Sequence, residues 1–288
     1  MEFSKSITDI IQERYSCRSY EERPIADETR RRLAYIASSI GSGPLGTSPR
    51  FELVAATSED RAALRGLGTY GFIKGAMGFI VGATHQPQRG TEDYGYLMEL
   101  IILHATDLGL GTCWLGGSFT KSSFAAKISA GDDEVVPAVA AVGYTAERPR
   151  AVDSLVRRTV GSDRRLPWQD LFFKGSFSTP LSREEAGEYA VSLEMLRLGP
   201  SASNKQPWRV VKADDTWHFF LARTRGYGQG ILMRNWTRGD MQRLDMGIAM
   251  CHFEHTAREF ELEGRWVVDQ PEISRPDELT EYTASWAG

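Results

Sequence analysis

RPIADETRRRLAYIASSIGSGP, residues 23–44, and TPLSREEAGEYAVSLEMLRLGP, residues 179–200, follow one pattern. Pro24 and Pro180 lie 156 positions apart, and so do Pro44 and Pro200. Each stretch offers an N-cap (Asp27 or Ser182), acidic residues in the first turn and an apolar stripe at helical spacing. Leu33, Ala37 and Ile40 correspond to Tyr189, Leu193 and Leu196, and Gly-Pro is expected to stop each helix. Both copies continue into a β run, at 51–56 and 208–212, and then a second one, at 78–83 and 217–222. A long amphipathic segment follows. DYGYLMELIILHATDLGLGTCW (93–114) aligns with DMGIAMCHFEHTAREFELEGRW (245–266) at an offset of 152. A repeat of this length is an architectural signal, and here it predicts two similar α/β halves. The division falls at 1–160 and 161–288, with the polar, Arg-rich stretch ERPRAVDSLVRRTVGSDRRLP read as a solvated linker.

Composition bounds the function. A 288-residue chain with 41% hydrophobic and 25% charged residues has enough apolar surface for a sizeable core. Its net charge of −4 and scattered Lys and Arg argue against a nucleic-acid partner. Three widely spaced cysteines, Cys17, Cys113 and Cys251, do not make a disulfide framework and suit a reducing, cytoplasmic setting. MEFSKSITDIIQERYS has early acidic residues and no apolar core, so a signal peptide is not expected. No run reaches the roughly 18 apolar residues of a membrane span, and residues 135–142 read as a buried strand.

Several motifs are set aside on physical grounds. GSGPLG (41–46) has G-x-G-x-x-G spacing, but a helix precedes it and a strand follows, the reverse of a dinucleotide-binding turn. Cys251, His252 and His255 share a helix without the accompanying ligands of a metal site, so no metal is expected. His104 lies on an apolar helix face. Asn235-Trp236-Thr237 fits a glycosylation acceptor that a cytoplasmic chain leaves idle.

Three segments carry chemistry. In RYSCRSY (14–20), Arg14, Ser16 and Arg18 alternate, so an extended backbone presents them on one side, as a phosphate dianion requires. GPSASNKQPWRVV (199–211) offers uncharged donors and acceptors on a Pro-stiffened loop, suited to the polar edge of a heterocycle or a ribityl chain. LGLGTCWLGGSF (108–119) has glycines that let backbone approach a flat ligand.

Together these segments resemble the nitroreductase family, whose members have an Arg-rich phosphate strip, a Pro-Ser-x-x-Asn-x-Gln-Pro-Trp loop and a Gly-rich turn against a flavin. EYTASW and RRLPWQDLFF look like the subgroup in which two such units are fused in tandem. The resemblance implies an α+β fold of antiparallel-dominated sheets and packed helices, its halves related by a pseudo-twofold axis. It also implies that Arg14, Ser16 and Arg18 hold the phosphate of FMN, with Arg165 as a second phosphate-binding arginine. Trp114, Leu115, Gly116 and Gly117 would lie along the isoalloxazine, the Gly116 N–H near N5. Pro200, Ser201, Ser203, Asn204 and Gln206 would reach the same flavin from the other half.

The departures are reciprocal. The first half has GPLGTSPRFEL where the Ser/Asn/Gln loop belongs. The second has DLFFKGS in place of the strip, with only Lys174 as a phosphate partner. One site per chain is therefore expected, in a monomer acting as an intrachain pseudo-dimer. By the same resemblance, NADH or NADPH reduces the flavin and a small-molecule electron acceptor, a nitro compound or quinone, reoxidises it by ping-pong transfer through N5. Reductive dehalogenation, flavin fragmentation and non-catalytic flavin storage are the rival readings.

Overall fold

Ser6 opens the first helix by accepting a hydrogen bond from the Asp9 N–H at 3.1 Å, and the Arg14 N–H closes it on the Ile10 carbonyl. The computed structural model describes residues 2–85, 90–147, 164–227 and 240–288. Its helices are α1 (Ile7–Glu13), α2 (Asp27–Ser39), α3 (Gly90–Asp107), α4 (Lys121–Lys127), α5 (Arg183–Ala186), α6 (Ala190–Leu198) and α7 (Met241–Glu259). The linker expected around 147–167 falls largely at 148–163, outside the described residues, as do the proposed boundary at 160 and the Asn235 acceptor.

The architecture is α+β. One sheet contains β1 (Arg50–Ala55), β2 (Gly78–His85), β5 (Val139–Gly143) and β3 (Gly111–Leu115), in that order and antiparallel throughout. A short β4 (Glu134–Val135) also pairs with β2. The other sheet runs β10 (Arg265–Val267), β11 (Thr280–Ala287), β9 (Thr216–Ala222), β8 (Trp208–Ala213), β6 (Phe172–Lys174), β7 (Ser176–Pro180), with only β6 and β8 parallel. The order β1-β2-β5-β3 recurs as β10-β11-β9-β8 read backwards. In each, a hairpin leads to a long helix, then an edge strand, and the last strand inserts beside the hairpin. The repeated sequence pattern thus corresponds to a repeated topology.

Burial explains the apolar strand runs. Phe79 and Val81 of β2 face a cluster with Phe119 and Phe124, whereas Ile80 faces the larger core beneath α3. A strand covered on both faces has no polar alternation. The larger core is continuous across the repeat, containing Ile10, Leu97 and Ile101 together with Leu193, Trp208 and Phe253.

α3 and α7 are the most extensively packed helix pair, as their spacing suggested. A side chain on Gly95 would overlap the Leu244 carbonyl, and one on Gly247 would overlap the Glu92 carbonyl. Both pairs are 152 apart in the sense of the repeat, Gly95 with Gly247 and Glu92 with Leu244. The contact is therefore its own image across a local pseudo-twofold axis.

Four expectations change in detail. Asp27 is the first helical residue rather than the cap; the cap is Ala26, whose side chain makes no hydrogen bond. Ser182 does form a capping box with Glu185. The 179–200 helix is broken at Gly187 (φ 58°), and α2 stops at Ser39, ahead of Gly43-Pro44, with an extended Ile40. The 135–142 run is two strands separated around Pro137, which cannot donate to a ladder.

The helix crossing yields a test. Gly95→Ala and Gly247→Ala should each lower stability by about 1–3 kcal/mol through overpacking against backbone that cannot yield. Gly41→Ala, with nothing within 4 Å, should shift the urea midpoint little. Equal midpoints for all three variants would contradict the close crossing.

Candidate functional site

The strip 14–20 leaves α1 in extended conformation and is fastened on both sides. Cys17 N–H donates to Thr112 O at 2.8 Å, which lays the strip beside β3. Lys74 N–H donates to Arg18 O, and Tyr20 N–H to Lys74 O, both at 2.9 Å. Arg14, Ser16 and Arg18 line a cavity of about 630 Å³, as the alternation predicts. Such a volume is that of a small-molecule site.

β3 ends at the same cavity. Trp114, Leu115, Gly116 and Gly117 line it, and a side chain on Gly116 would overlap the Met241 sulfur. The backbone turn therefore packs directly on the start of α7. A second cavity of about 640 Å³, lined by Tyr70, Phe119 and Lys121 among others, shares Gly117 with the first.

The second half supplies the opposite wall through Pro200, Ser201, Ser203 and Asn204. Ser203 (φ 53°), Asn204 (φ 53°) and Gln206 (φ 48°) are all left-handed, an unusual concentration outside glycine. Internal bonds hold this conformation: Gln206 N–H donates to Ser201 Oγ at 2.9 Å, and Asn204 N–H to Ser201 O at 2.9 Å. Asp245 of α7 receives the Ala202 N–H at 2.9 Å. Asp93 plays the same part in the first half, receiving the Leu45 and Thr47 N–H groups at 2.8 and 2.7 Å and the Thr47 hydroxyl at 2.8 Å. Burial pushes both carboxyls up, Asp245 well above the usual range.

Twelve of the thirteen residues singled out from sequence meet at this cavity; Gln206 does not line it. Its side chain is buried and committed to the loop, accepting from Leu166 N–H at 2.8 Å and donating to Arg164 O and Asn204 O. Arg165 borders the cavity while donating to Leu198 O at 2.9 Å and Asn204 Oδ1 at 3.3 Å. Lys174 is exposed and paired with Glu185 at 2.7 Å. Sequence reasoning missed Phe72, Ile73, Tyr227, Met241, Leu244, Asp245 and Ile248, all of which line the cavity. Asp245 had a signal, since it aligns with Asp93; the others are ordinary apolar or aromatic residues.

Behind the wall lies a buried polar cluster. Glu99 accepts from Trp114 Nε1 at 2.6 Å and lies 2.9 Å from His252 Nε2, while Arg14 Nε is 3.8 Å away. Burial pushes the Glu99 carboxyl up, but the hydrogen bond and charge of His252, with Arg14 and Trp114, outweigh it and hold the carboxyl below its ordinary value. His252 is thus a structural partner of Glu99. Among the described residues, no group of three His, Cys, Asp or Glu side chains could hold a metal ion, and no helix is long and apolar enough to cross a membrane.

The raised Asp245 carboxyl makes stability depend on pH in a definite sense. Because its folded pKa lies above the unfolded value, its contribution is complete below the unfolded carboxylate range and is lost as pH rises toward the folded value. Asp245→Asn keeps an acceptor for Ala202 but cannot ionise. Relative to the unmodified protein it should gain stability as pH rises above the ordinary carboxylate range, from about pH 4 upward. Urea midpoints that move in parallel with pH for the two proteins would refute this.

A crystal structure of a putative nitroreductase from Thermotoga maritima aligns with 99% of this chain and 95% of its own, at 20% identity and a TM-score of 0.60. This likeness is one of fold. An FMN-bound nitroreductase from Bacteroides fragilis aligns with 51% of this chain and 92% of its own at 20% identity (TM-score 0.39). An oxidoreductase containing FMN aligns with 62% and 96% at 21% identity (TM-score 0.47). No curated protein matches the sequence. The family model described as "Putative TM nitroreductase" matches residues 6–257, so the chain belongs to that nitroreductase family.

Proposed function

We propose that the chain is an FMN-dependent oxidoreductase that takes hydride from NADH or NADPH and reduces a small electron acceptor such as a nitro compound or a quinone. The observation that carries this reading is the convergence of the cationic strip, the glycine turn and the amide- and hydroxyl-bearing loop, from both ends of the chain, on one cavity. The donor set fits FMN. Arg14, Ser16 and Arg18 would hold the phosphate through charge-assisted hydrogen bonds. Trp114, Leu115, Gly116 and Gly117 would hold the ring, and Pro200, Ser201, Ser203 and Asn204 its polar edge and ribityl chain. Arg165 would meet the phosphate from the second half while keeping Asn204 in place, and Gln206 acts as a positioning residue for the loop.

When bound, FMN supplies reversible hydride transfer at N5. The chain's residues would bind and orient it, exclude water through Met241, Leu244 and Ile248, and stabilise negative charge with the Arg14 and Arg18 guanidinium groups. Since the strip lies in residues 1–160 and the loop in 161–288, one chain holds one site and a monomer suffices. A cytoplasmic setting supplies the reduced nicotinamide.

Titration of the purified protein should end at one FMN per chain, and NADH or NADPH should bleach the bound flavin in stopped flow. Arg18→Ala should weaken FMN binding by about 1.5–3 kcal/mol while leaving riboflavin nearly unaffected. A protein that takes up no flavin, or two equivalents of it, would overturn the proposal.

Both substrates would use one position in turn, so initial rates varied against each should give parallel double-reciprocal lines. Intersecting lines would reject this order and give the adjoining cavity at Gly117 a substrate of its own.

A further inference from the structure

Arg14, Glu99 and His252 come from α1's end, α3 and α7, and their side chains are 6%, 0% and 0% exposed. His252 Nδ1 lies 2.9 Å from the Met195 carbonyl oxygen. A carbonyl only accepts, so Nδ1 carries a proton. Nε2 lies 2.9 Å from Glu99 Oε1, and an unprotonated nitrogen cannot face an ionised carboxylate oxygen at that distance without a proton between them. The pair therefore holds one proton more than a neutral histidine beside a carboxylate. Glu99 Oε2 already accepts from Trp114 at 2.6 Å, and Arg14 stands beside Oε1, which favours the carboxylate and leaves the extra proton on His252.

The charge count decides what this does. Arg14 is positive, Glu99 negative and His252 positive, so the triad carries one net positive charge. With a neutral His252, Glu99 would cancel Arg14. Arg14 borders the cavity, and among the described residues its buried Nε has no hydrogen-bond partner. Such a group is costly unless something else satisfies it. On α7, Cys251 is a buried thiol held neutral by desolvation and the adjacent carboxylates, and burial lowers His255, one turn from His252, to about 4, so it adds no charge.

We propose that Arg14, Glu99 and His252 form a buried anion-selecting unit, in which the extra proton of the Glu99–His252 pair leaves the Arg14 charge unopposed at the cavity wall. Glu99 and His252 are positioning residues: they act through Arg14 and Trp114, and across the two halves. That the selected anion is a flavin phosphate rests on the function proposed above; the charge state of the triad does not.

The experiment has two arms. In the flavin-free, unmodified protein, long-range ¹H–¹⁵N spectra of the His252 ring at neutral pH should show both nitrogens protonated. A ring with one protonated nitrogen overturns the proposal by itself, whether or not flavin binds. The second arm measures dissociation constants of FMN and riboflavin for four proteins. His252→Gln keeps a donor to Glu99 but removes the charge, and should lower the preference for FMN over riboflavin about tenfold. Glu99→Gln removes the opposing carboxylate, so the double variant Glu99→Gln/His252→Gln should recover the preference of the unmodified protein. A double variant as weak as His252→Gln, or weaker, would mean that the pair acts only through packing and would refute the charge assignment. An unmodified protein indifferent to the phosphate would count against the flavin reading, leaving the ring spectrum to judge the triad.

Discussion

The near contact of two helix backbones at Gly95 and Gly247 is the constraint on which the remaining structure depends. Each glycine faces a carbonyl of the other helix, so the register of α3 on α7 is set in the direction of both axes. Everything that forms the cavity is measured from that crossing. Asp93 and Asp245 stand two residues before the glycines and fasten the loops that follow α2 and α6. Glu99 stands four residues after Gly95 and His252 five after Gly247, where the helices remain close enough for a 2.9 Å contact. A side chain at either glycine would push these groups apart together, since a packed interior transmits displacement.

The two halves use the same devices to different ends. Asp93 takes three donors from the loop at 45–47, which is thereby consumed as structure. Asp245 takes the Ala202 N–H, leaving the following Ser203 and Asn204 at the cavity. The edge strands show the same divergence. Trp114 donates to Glu99 of its own half's helix, and Glu99 takes His252 from the other. Trp266 likewise donates to Glu254 at 2.7 Å, but there the crossing partner is Tyr96, whose hydroxyl donates at 2.8 Å. A phenol stands where the other cluster has an imidazole, and Arg258 Nε lies 2.9 Å from Glu254 Oε1, much as Arg14 stands beside Glu99. Both clusters keep a carboxylate beside an arginine, and they differ in the group that reaches across the helix crossing.

How much of this was legible in the sequence follows from the range of the forces involved. The long helices, the buried strands and the repeat were readable because periodicity and Gly/Pro punctuation are local. The strip was readable because an alternating Arg-x-Ser-x-Arg needs only an extended backbone to form a face. Helix breaks were less so: Gly187 reads as a tolerable interior glycine until its positive φ is known, and Ile40 carries no stop signal at all. The walls supplied by Phe72, Tyr227 and Met241 were invisible, because an apolar side chain looks the same whether it faces a core or a ligand. His252 was visible as a motif and set aside for want of metal ligands. Its partner Glu99 is 153 positions away, and only the helix crossing brings them together.

The loop at 201–206 shows how a backbone conformation far from the ordinary one is held at the cavity. Three left-handed residues within it oppose the ordinary steric preference of the backbone, and strain of that kind persists only where surrounding bonds over-determine it. Those bonds come from Asp245, from the Ser201 hydroxyl and from the buried Gln206 amide, which also ties the loop to residues 164–166. Arg165 is drawn to the same place by Leu198 and Asn204. The conformation that places Ser203 and Asn204 at the cavity is therefore held by contacts within the chain, which fix both residues at the cavity wall.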